Sequence, residues 1–190
     1  MPRKTDAAMM PPRDLSRQAG PDAQAITLSP PISTHGPAVS ALIAACPPLD
    51  ANSAYCNLLQ CTHFAQTCVV AERDGAVVGW VSGYRVPSAP EQFFVWQVAV
   101  AEQARGLGLA QRMIADLLAR PSASGVTHLI TTVTPDNAAS WALFEGLARR
   151  WDCALSKAPH FERDAHFAGA HATEWQAMIG PLPVALTATS

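Results

Sequence analysis

Two glycines and an alanine, Gly106, Gly108 and Ala110, lie between a run that is typical of a strand and a run that is typical of a helix. The first N–H groups of a helix have no acceptor within it, and the helix dipole places partial positive charge at the same end. An anion such as a phosphate can therefore bind there, and small residues let it approach the backbone. The pattern indicates an anion site, although a glycine-rich turn without a ligand remains an alternative.

Two other phosphate-binding loops are excluded by the residues that they require. A dinucleotide-binding fingerprint needs a further glycine at the position of Gln111, and a P-loop needs Gly-Lys followed by Ser or Thr, which the sequence lacks. A helix dipole contributes at most about 2 kcal/mol, whereas micromolar binding requires about 8 kcal/mol. Several N–H bonds and contacts along the preceding strand must therefore contribute to binding.

The composition limits the kind of partner. The chain has 190 residues, 49% of them hydrophobic, and a formal net charge of −2. These values suit one domain with a sizeable core and provide no basic stripe for nucleic acid or anionic lipid. No run approaches the roughly 18 apolar residues of a spanning helix. We expect a cytoplasmic protein that binds a small molecule and neither nucleic acid nor a membrane.

The cysteines and histidines do not form the pattern of a disulfide framework or of a metal site. There is no CxxC pair, and five cysteines, an odd number, suit a reducing compartment. No pair of the six histidines has the spacing of zinc ligands. We therefore expect packing thiols and no metal.

The elements that must position the glycine loop can be predicted from hydrophobic patterns on both sides of it. Before the loop, the sequence predicts a strand at 25–29, helices at 37–46 and 52–62, and an antiparallel hairpin that turns at Asp74-Gly75. A loop at 87–92 then leads to residues 93–100, which are apolar at nearly every position. This run predicts a central strand covered on both faces.

After the glycine loop, the pattern predicts a helix that ends before Pro121, followed by a buried strand at 128–133. Thr134-Pro135-Asp136 predicts a helix start, with Thr134 as the cap, and this helix runs to about Arg150. Two further strands complete a mixed α/β sheet, with residues 175–179 as the last. We expect a disordered leader at 1–24, a domain at 25–184 and a disordered tail at 185–190.

The strand, the pattern Arg-x-x-Gly-x-Ala and the following helix resemble the acyl-CoA motif of the GNAT superfamily of N-acyltransferases. The resemblance implies a mostly antiparallel mixed sheet flanked by about four helices. It implies that the co-substrate acetyl-CoA binds through a loop, a strand and a helix start. The pyrophosphate would bind to the loop residues Arg105, Gly106, Leu107, Gly108, Leu109 and Ala110, and the pantetheine to the strand residues Val98, Ala99 and Val100. The residue at the helix start is Asn137.

A larger set of segments resembles the L-2,4-diaminobutyrate acetyltransferases of ectoine biosynthesis. The segments are PLDANSAYCNLL, FAQTCVVAE, FVWQVAV, TTVTPDNAASWALF and HATE. The resemblance implies a homodimer that acetylates the 4-amino group of L-2,4-diaminobutyrate by direct attack in a ternary complex. It assigns Asp50, Tyr55, His171 and Glu174 to catalysis, and these four with Trp96 to substrate binding.

Acetyl transfer to an alkylamine requires the neutral amine, so a group must remove a proton from an ammonium whose pKa is about 10.4. Besides Asp50 and Glu174, the acidic candidates are Glu91 and Asp136. Other interpretations remain open: Asp50 could be a helix cap, Trp96 could be a core residue, and His171 and Glu174 could be solvated loop residues. Many GNAT enzymes protonate the leaving thiolate with a tyrosine at the position of Phe144, so here the proton must come from Tyr55 or solvent, or the thiolate leaves unprotonated.

Two alternative functions share the fold. The acceptor could be another amine, such as a polyamine, an aminoglycoside or a protein N-terminus, or the domain could be a non-catalytic acyl-CoA sensor. The group that binds the substrate carboxylate is not identified by the sequence, which offers Arg85 and Lys157 as candidates.

Overall fold

A seven-stranded mixed sheet forms the centre of the computed structural model, which describes residues 26–187. The spatial order is β1-β2-β3-β4-β5-β7-β6. All neighbouring strands are antiparallel except β4 and β5, which are parallel. The strands are β1 (Thr27–Ser29), β2 (Val69–Arg73), β3 (Ala76–Val86), β4 (Ala89–Val100), β5 (His128–Val133), β6 (Leu155–Phe161) and β7 (Glu174–Ile179). The predicted mixed, mostly antiparallel sheet is confirmed.

Within residues 26–187, four helices of at least seven residues flank the sheet, as predicted, and two shorter ones follow. They are α1 (Gly36–Ala44), α2 (Ala54–Gln60), α3 (Leu109–Leu118), α4 (Ala138–Trp151), α5 (Arg163–Phe167) and α6 (Val184–Thr187). The predicted apolar face of α3 is confirmed, because Leu109, Met113, Ile114, Leu117 and Leu118 are each at most 2% exposed. These side chains anchor α3 to the core and so fix the position of its N-terminus.

The predicted hairpin joins β2 and β3 through Asp74 and Gly75. Both residues have positive φ, 54° and 75°, as the turn that matches the twist of two antiparallel strands requires. Asp tolerates this conformation better than most residues, and glycine adopts it without a steric penalty.

Strand β4 differs from its prediction in two ways. It begins at Ala89, so the predicted loop at 87–92 shrinks to Pro87 and Ser88, because Ala89 pairs with Val86 and Phe93 with Arg85 at the end of β3. The prediction that both faces are covered is wrong. Residues 93, 95, 97 and 99 are buried, whereas the alternate side chains are less covered and Trp96 is 47% exposed. The less covered face borders a cavity.

Helix α4 begins three residues later than the prediction placed it. Its N-cap is Asn137, whose Oδ1 accepts a hydrogen bond from the Ser140 N–H at 3.1 Å. The carbonyl of Thr134 instead accepts the Asn137 N–H at 3.1 Å and the Trp141 indole N–H at 3.0 Å. Thr134–Asp136 therefore form a turn that precedes the helix.

The predicted leader at 1–24 lies outside the described residues, as do positions 188–190 of the predicted tail. The predicted tail begins too early, because residues 185–187 belong to α6 and Leu186 packs against the core. Among the helices of residues 26–187, none has the length and apolar character needed to cross a bilayer.

Candidate active site

The candidate site is a cleft that opens where the parallel strands β4 and β5 diverge. Their backbones pair only at Gln92–Phe94 with His128–Ile130. At the next step the buried Thr131 hydroxyl donates to the Val95 carbonyl at 2.9 Å, supplying the partner that the diverging strand no longer provides. Beyond this bond lies a cavity of about 380 Å³.

One edge of the cleft is the free side of β4. The Ala101 N–H donates to the Val78 carbonyl at 2.9 Å, so by the alternation of an antiparallel ladder Ala99 directs its backbone groups towards β3. Those of Val98 and Val100 point to the opposite side. Of the three predicted pantetheine-binding positions, Val98 and Val100 thus face the cleft edge, whereas the backbone of Ala99 pairs with Trp80 of β3.

The glycine loop lies at the start of α3. Gly106 and Gly108 have φ of 76° and 67°, and Gly108 is the N-cap. A Cβ atom added to either glycine would meet no atom within 4 Å, so the space in front of both is open. The first intrahelical bond runs from the Arg112 N–H to the Gly108 carbonyl, which leaves the N–H groups of residues 109–111 for a ligand. The loop therefore fits the diphosphate of a coenzyme.

Arg105 holds the loop against β4. Its Nε donates to the Val100 carbonyl at 3.2 Å, and its Nη2 lies 4.0 Å from Cys46 Sγ. The guanidinium thus contributes to the shape of the loop. The predicted pyrophosphate contacts of Arg105 through Ala110 are made by backbone N–H groups and do not involve this side chain.

Helix α4 forms another wall of the cleft through Asn137, Ser140 and Phe144. Asn137 Oδ1 is engaged in the helix cap, so the side-chain amide retains its NH₂ group for a ligand. Phe144 is 3% exposed and borders the cavity. The residue at the position of the usual tyrosine therefore faces the cleft but has no hydroxyl to donate a proton.

The lining of the cleft is acidic. Asp50, Asp136 and Glu174 all border the cavity, and its described lining contains no lysine or arginine. The Glu174 side chain is 19% exposed, and its Oε1 lies 4.0 Å from His171 Nδ1. Burial is the main cause that raises the pKa of Glu174; Asp50 and Asp136 raise it further, while His171 and a hydrogen bond from Thr132 lower it. An acidic, partly desolvated pocket favours a cationic ligand and a carboxylate that can accept its proton.

Two other predicted substrate residues border the same cavity. His171 is half-exposed, and its Nδ1 lies 2.9 Å from the Ala172 carbonyl. Trp96 is 47% exposed and packs edge-on against Tyr84, with ring centroids 6.4 Å apart. Trp96 is therefore not a core residue, and His171 and Glu174 are not merely solvated.

Tyr55 is not brought to this site. It lies in the first turn of α2, two residues before the buried Asn57 and therefore on the opposite side of the helix. Its side chain is 70% exposed, and it is absent from the described cavity lining. Its predicted catalytic and substrate-binding roles thus receive no support from its position.

Three further candidates lie away from the cavity. Glu91 is exposed near the start of β4. Arg85 donates to the Pro90 carbonyl at 2.9 and 2.7 Å, and Lys157 pairs with Glu145 at 2.8 Å while lying 4.3 Å from the Trp141 ring centre. Neither of these two cations borders the described cavity, so the proposal that they bind the substrate carboxylate is not supported.

Several polar lining residues were not identified from the sequence, among them Gln97, Thr131, Thr132 and Ser140. Gln97 and Thr131 are 5% and 4% exposed and have apolar neighbours in their strands. A polar residue in such a run must find a hydrogen-bond partner, and this was the signal that could have identified them.

No group of three or more His, Cys, Asp or Glu residues within 26–187 is arranged to hold a metal ion. All five cysteines are unpaired.

Comparison with known proteins identifies the family and several similar enzymes. The sequence model of the acetyltransferase (GNAT) family matches residues 38–148. The chain is 53% identical over 156 residues to the L-2,4-diaminobutyric acid acetyltransferase of Methylotuvimicrobium alcaliphilum, covering 82% of this chain and 91% of that relative. It is 45% identical over 163 residues to the enzyme of the same name from Halomonas elongata, covering 85% and 84%.

A solved structure with a similar fold is the diaminobutyrate acetyltransferase EctA from Paenibacillus lautus, in complex with its substrate L-2,4-diaminobutyric acid and coenzyme A. The TM-score is 0.78 and the sequence identity 36%, covering 82% of this chain and 95% of that chain.

Proposed function

The chain belongs to the GNAT family of acetyltransferases, and we propose that it transfers the acetyl group of acetyl-CoA to the 4-amino group of L-2,4-diaminobutyrate. The product is N4-acetyl-L-2,4-diaminobutyrate, for ectoine biosynthesis. The substrate carries two ammonium groups and one carboxylate at neutral pH, so its net charge is positive. It complements a cleft whose described lining contains three carboxylates and neither lysine nor arginine.

The observation that carries the proposal is the position of the acidic pocket along the diverging edge of β4. Val98 faces this edge and leads towards the open glycine loop, while Trp96 and Gln97 border the cavity together with Glu174. An acyl donor held along the strand edge therefore brings its thioester to the carboxylates that bind the acceptor. Such positioning of two reactants supplies a large part of the rate enhancement in a direct transfer.

Glu174 is the proposed general base. At pH 7, deprotonating an amine whose pKa is about 10.4 costs about 4 to 5 kcal/mol. A carboxylate with a raised pKa is closer to the amine in proton affinity than an ordinary glutamate, so it accepts the proton more readily. The electrostatic interaction with His171, 4.0 Å away, lowers the pKa of Glu174 and so opposes the effect of burial.

Asp50 is proposed to bind the 2-ammonium group and thereby direct the 4-amine to the thioester. Both groups are primary amines, so their intrinsic basicity selects only weakly between them. A charge-assisted hydrogen bond contributes roughly 1.5 to 3 kcal/mol, which corresponds to at least a tenfold preference. Trp96 is proposed to pack against the short carbon chain.

The neutral amine then attacks the thioester carbon directly, and the thiolate is expelled without a covalent enzyme intermediate. Phe144 cannot protonate the thiolate, and Tyr55 is not in the described cavity lining. A thiol has a pKa of about 8.5, so expelling the thiolate unprotonated at pH 7 costs only about 2 kcal/mol. Solvent can supply the proton afterwards.

A thiol-release assay with acetyl-CoA tests the function. The acceptor panel contains L-2,4-diaminobutyrate, 4-aminobutyrate without the 2-amine, 1,3-diaminopropane without the carboxylate, an aminoglycoside and a peptide with a free N-terminus. We expect the highest kcat/KM with diaminobutyrate, and NMR should identify the 4-acetyl product. A higher kcat/KM for a polyamine, aminoglycoside or peptide would identify a different acceptor, and binding of acetyl-CoA without turnover would indicate a sensor.

We also propose that the protein is a cytoplasmic homodimer. Strand β6 lies at the sheet edge, and six of its seven residues are exposed, including Phe161. Such an edge is available for pairing with a second copy. Light scattering coupled to size exclusion should give a mass twice that of one chain, and a monomeric mass at micromolar concentration would contradict the dimer.

A further inference from the structure

Gln97 is a buried amide in the central strand. It lies between Trp96 and Val98 of β4, borders the cavity and is only 5% exposed. The neighbouring residues of the strand are apolar, so a polar side chain at this position needs hydrogen-bond partners. Its partners are neither on its own strand nor on β3.

The two ends of the Gln97 amide hold the short segment that precedes α2. Its Nε2 donates to the Asp50 carbonyl at 2.6 Å, and its Oε1 accepts from Asn52 Nδ2 at 2.9 Å. Asn52 has a positive φ of 53°, so the backbone turns sharply at this point. Residues 50–52 are thus fixed at both ends by one side chain of the strand that borders the cleft.

The side chain of Asp50 has no comparable support. It is exposed, and its carboxylate forms no hydrogen bond or ion pair with another residue of the described chain. The direction of the carboxylate therefore depends on where the backbone of Asp50 is held. The Gln97 amide is the side chain that holds it.

We propose that Gln97 is a positioning residue for the acceptor amine, acting through the backbone of Asp50. The proposal rests on the function assigned above to Asp50. Because Gln97 also precedes Val98, whose backbone faces the donor edge, one residue links the strand that holds the acyl donor to the loop that holds the acceptor. Loss of either Gln97 bond lets the Asp50 carboxylate move relative to the thioester.

The test compares Gln97→Met with Gln60→Met in the full chain. Both residues are buried glutamines, but Gln60 of α2 lies outside the described cavity lining and its amide atoms have no hydrogen-bond partner among the described residues. We expect Gln97→Met to raise the KM for diaminobutyrate at least tenfold, to increase the share of 2-acetyl product, and to leave acetyl-CoA affinity within twofold. Gln60→Met should change none of these.

A double-mutant cycle with Asp50→Asn separates positioning from a general structural role. If Gln97 acts through Asp50, Gln97→Met should change kcat/KM by less than twofold in the Asp50→Asn background. An equal loss in both backgrounds, or an equal loss of acetyl-CoA affinity, would overturn the proposal. Should Gln97→Met fail to fold, Asn52→Gly removes the other amide bond while glycine tolerates the positive φ; an unchanged KM would then refute the proposal.

The same assays distinguish this inference from the proposed function. A wild-type chain that does not acetylate diaminobutyrate would refute both. Unchanged KM and product ratio in a folded Gln97→Met variant of an active enzyme would refute the positioning role alone.

Discussion

Replacement of Gly108 by alanine tests whether the glycine loop binds the acyl donor. Gly108 is the N-cap of α3 with φ of 67° and ψ of 17°, a left-handed conformation. Alanine in this conformation costs about 1 to 2 kcal/mol. Its Cβ would meet no atom of the chain within 4 Å, so no steric overlap within the protein adds to that cost.

Gly125 provides a matched control. It also has a positive φ, 78°, with nothing within 4 Å of an added Cβ, but it lies beyond the C-terminal end of α3, away from the loop. One kcal/mol shifts Tm by roughly 2 to 4 °C in a domain of this size. Gly125→Ala and Gly108→Ala should therefore each lower Tm by roughly 2 to 8 °C.

Only Gly108→Ala places its methyl group in front of the helix N-terminus, where the diphosphate is proposed to lie. We expect its affinity for acetyl-CoA to fall at least tenfold, about 1.4 kcal/mol, and that of Gly125→Ala to stay within twofold of the wild type. Calorimetric titration with coenzyme A and thermal unfolding measure the two effects. Equal coenzyme A affinities in the two variants, at similar Tm, would refute the role of the loop.

Three further predictions concern Glu174, His171 and Asp50 in the lining of the cleft. Glu174→Gln should lower kcat/KM at least a hundredfold, since a general base contributes a rate factor of about 10² to 10⁴. It should not lower Tm at pH 7, because burial disfavours the charged carboxylate that it replaces. Glu174 accepts a proton only when ionised, so activity is lost as the pH falls through its raised pKa. His171→Gln removes an electrostatic interaction that lowers this pKa, so it should move the acid limb of the kcat/KM profile to higher pH. Asp50→Asn should lower kcat/KM for diaminobutyrate at least tenfold and increase the 2-acetyl product seen by NMR, with acetyl-CoA affinity unchanged.

Each of these predictions can fail separately. Activity of Glu174→Gln near that of the wild type would assign the base elsewhere, and an acid limb unmoved in His171→Gln would remove the proposed coupling. Normal kinetics and regiochemistry in Asp50→Asn would mean that the 2-ammonium is bound by another group.

Much of the fold could be predicted because it depends on short-range chemistry. Asp74 and Gly75 favour a turn with positive φ wherever they occur, and the apolar residues of α3 repeat with the helix period. The start of α4 was predicted incorrectly because Thr134 and Asn137 are both good caps. The hydrogen bond from the Trp141 indole to the Thr134 carbonyl accompanies the helix start at Asn137.

The glycine loop, the approximate positions of the strands and helices, and the family are determined by the sequence, because these depend on residue types at fixed spacing. The tertiary structure alone decided that β4 and β5 diverge after Phe94, that Trp96 borders the opening, and that Tyr55 lies outside it. It also brought Asp50 and Glu174, 124 positions apart in the sequence, into one pocket. Strand register and desolvation depend on contacts between distant segments, so the raised pKa of Glu174 and the amide support of Asp50 have no local signature in the chain.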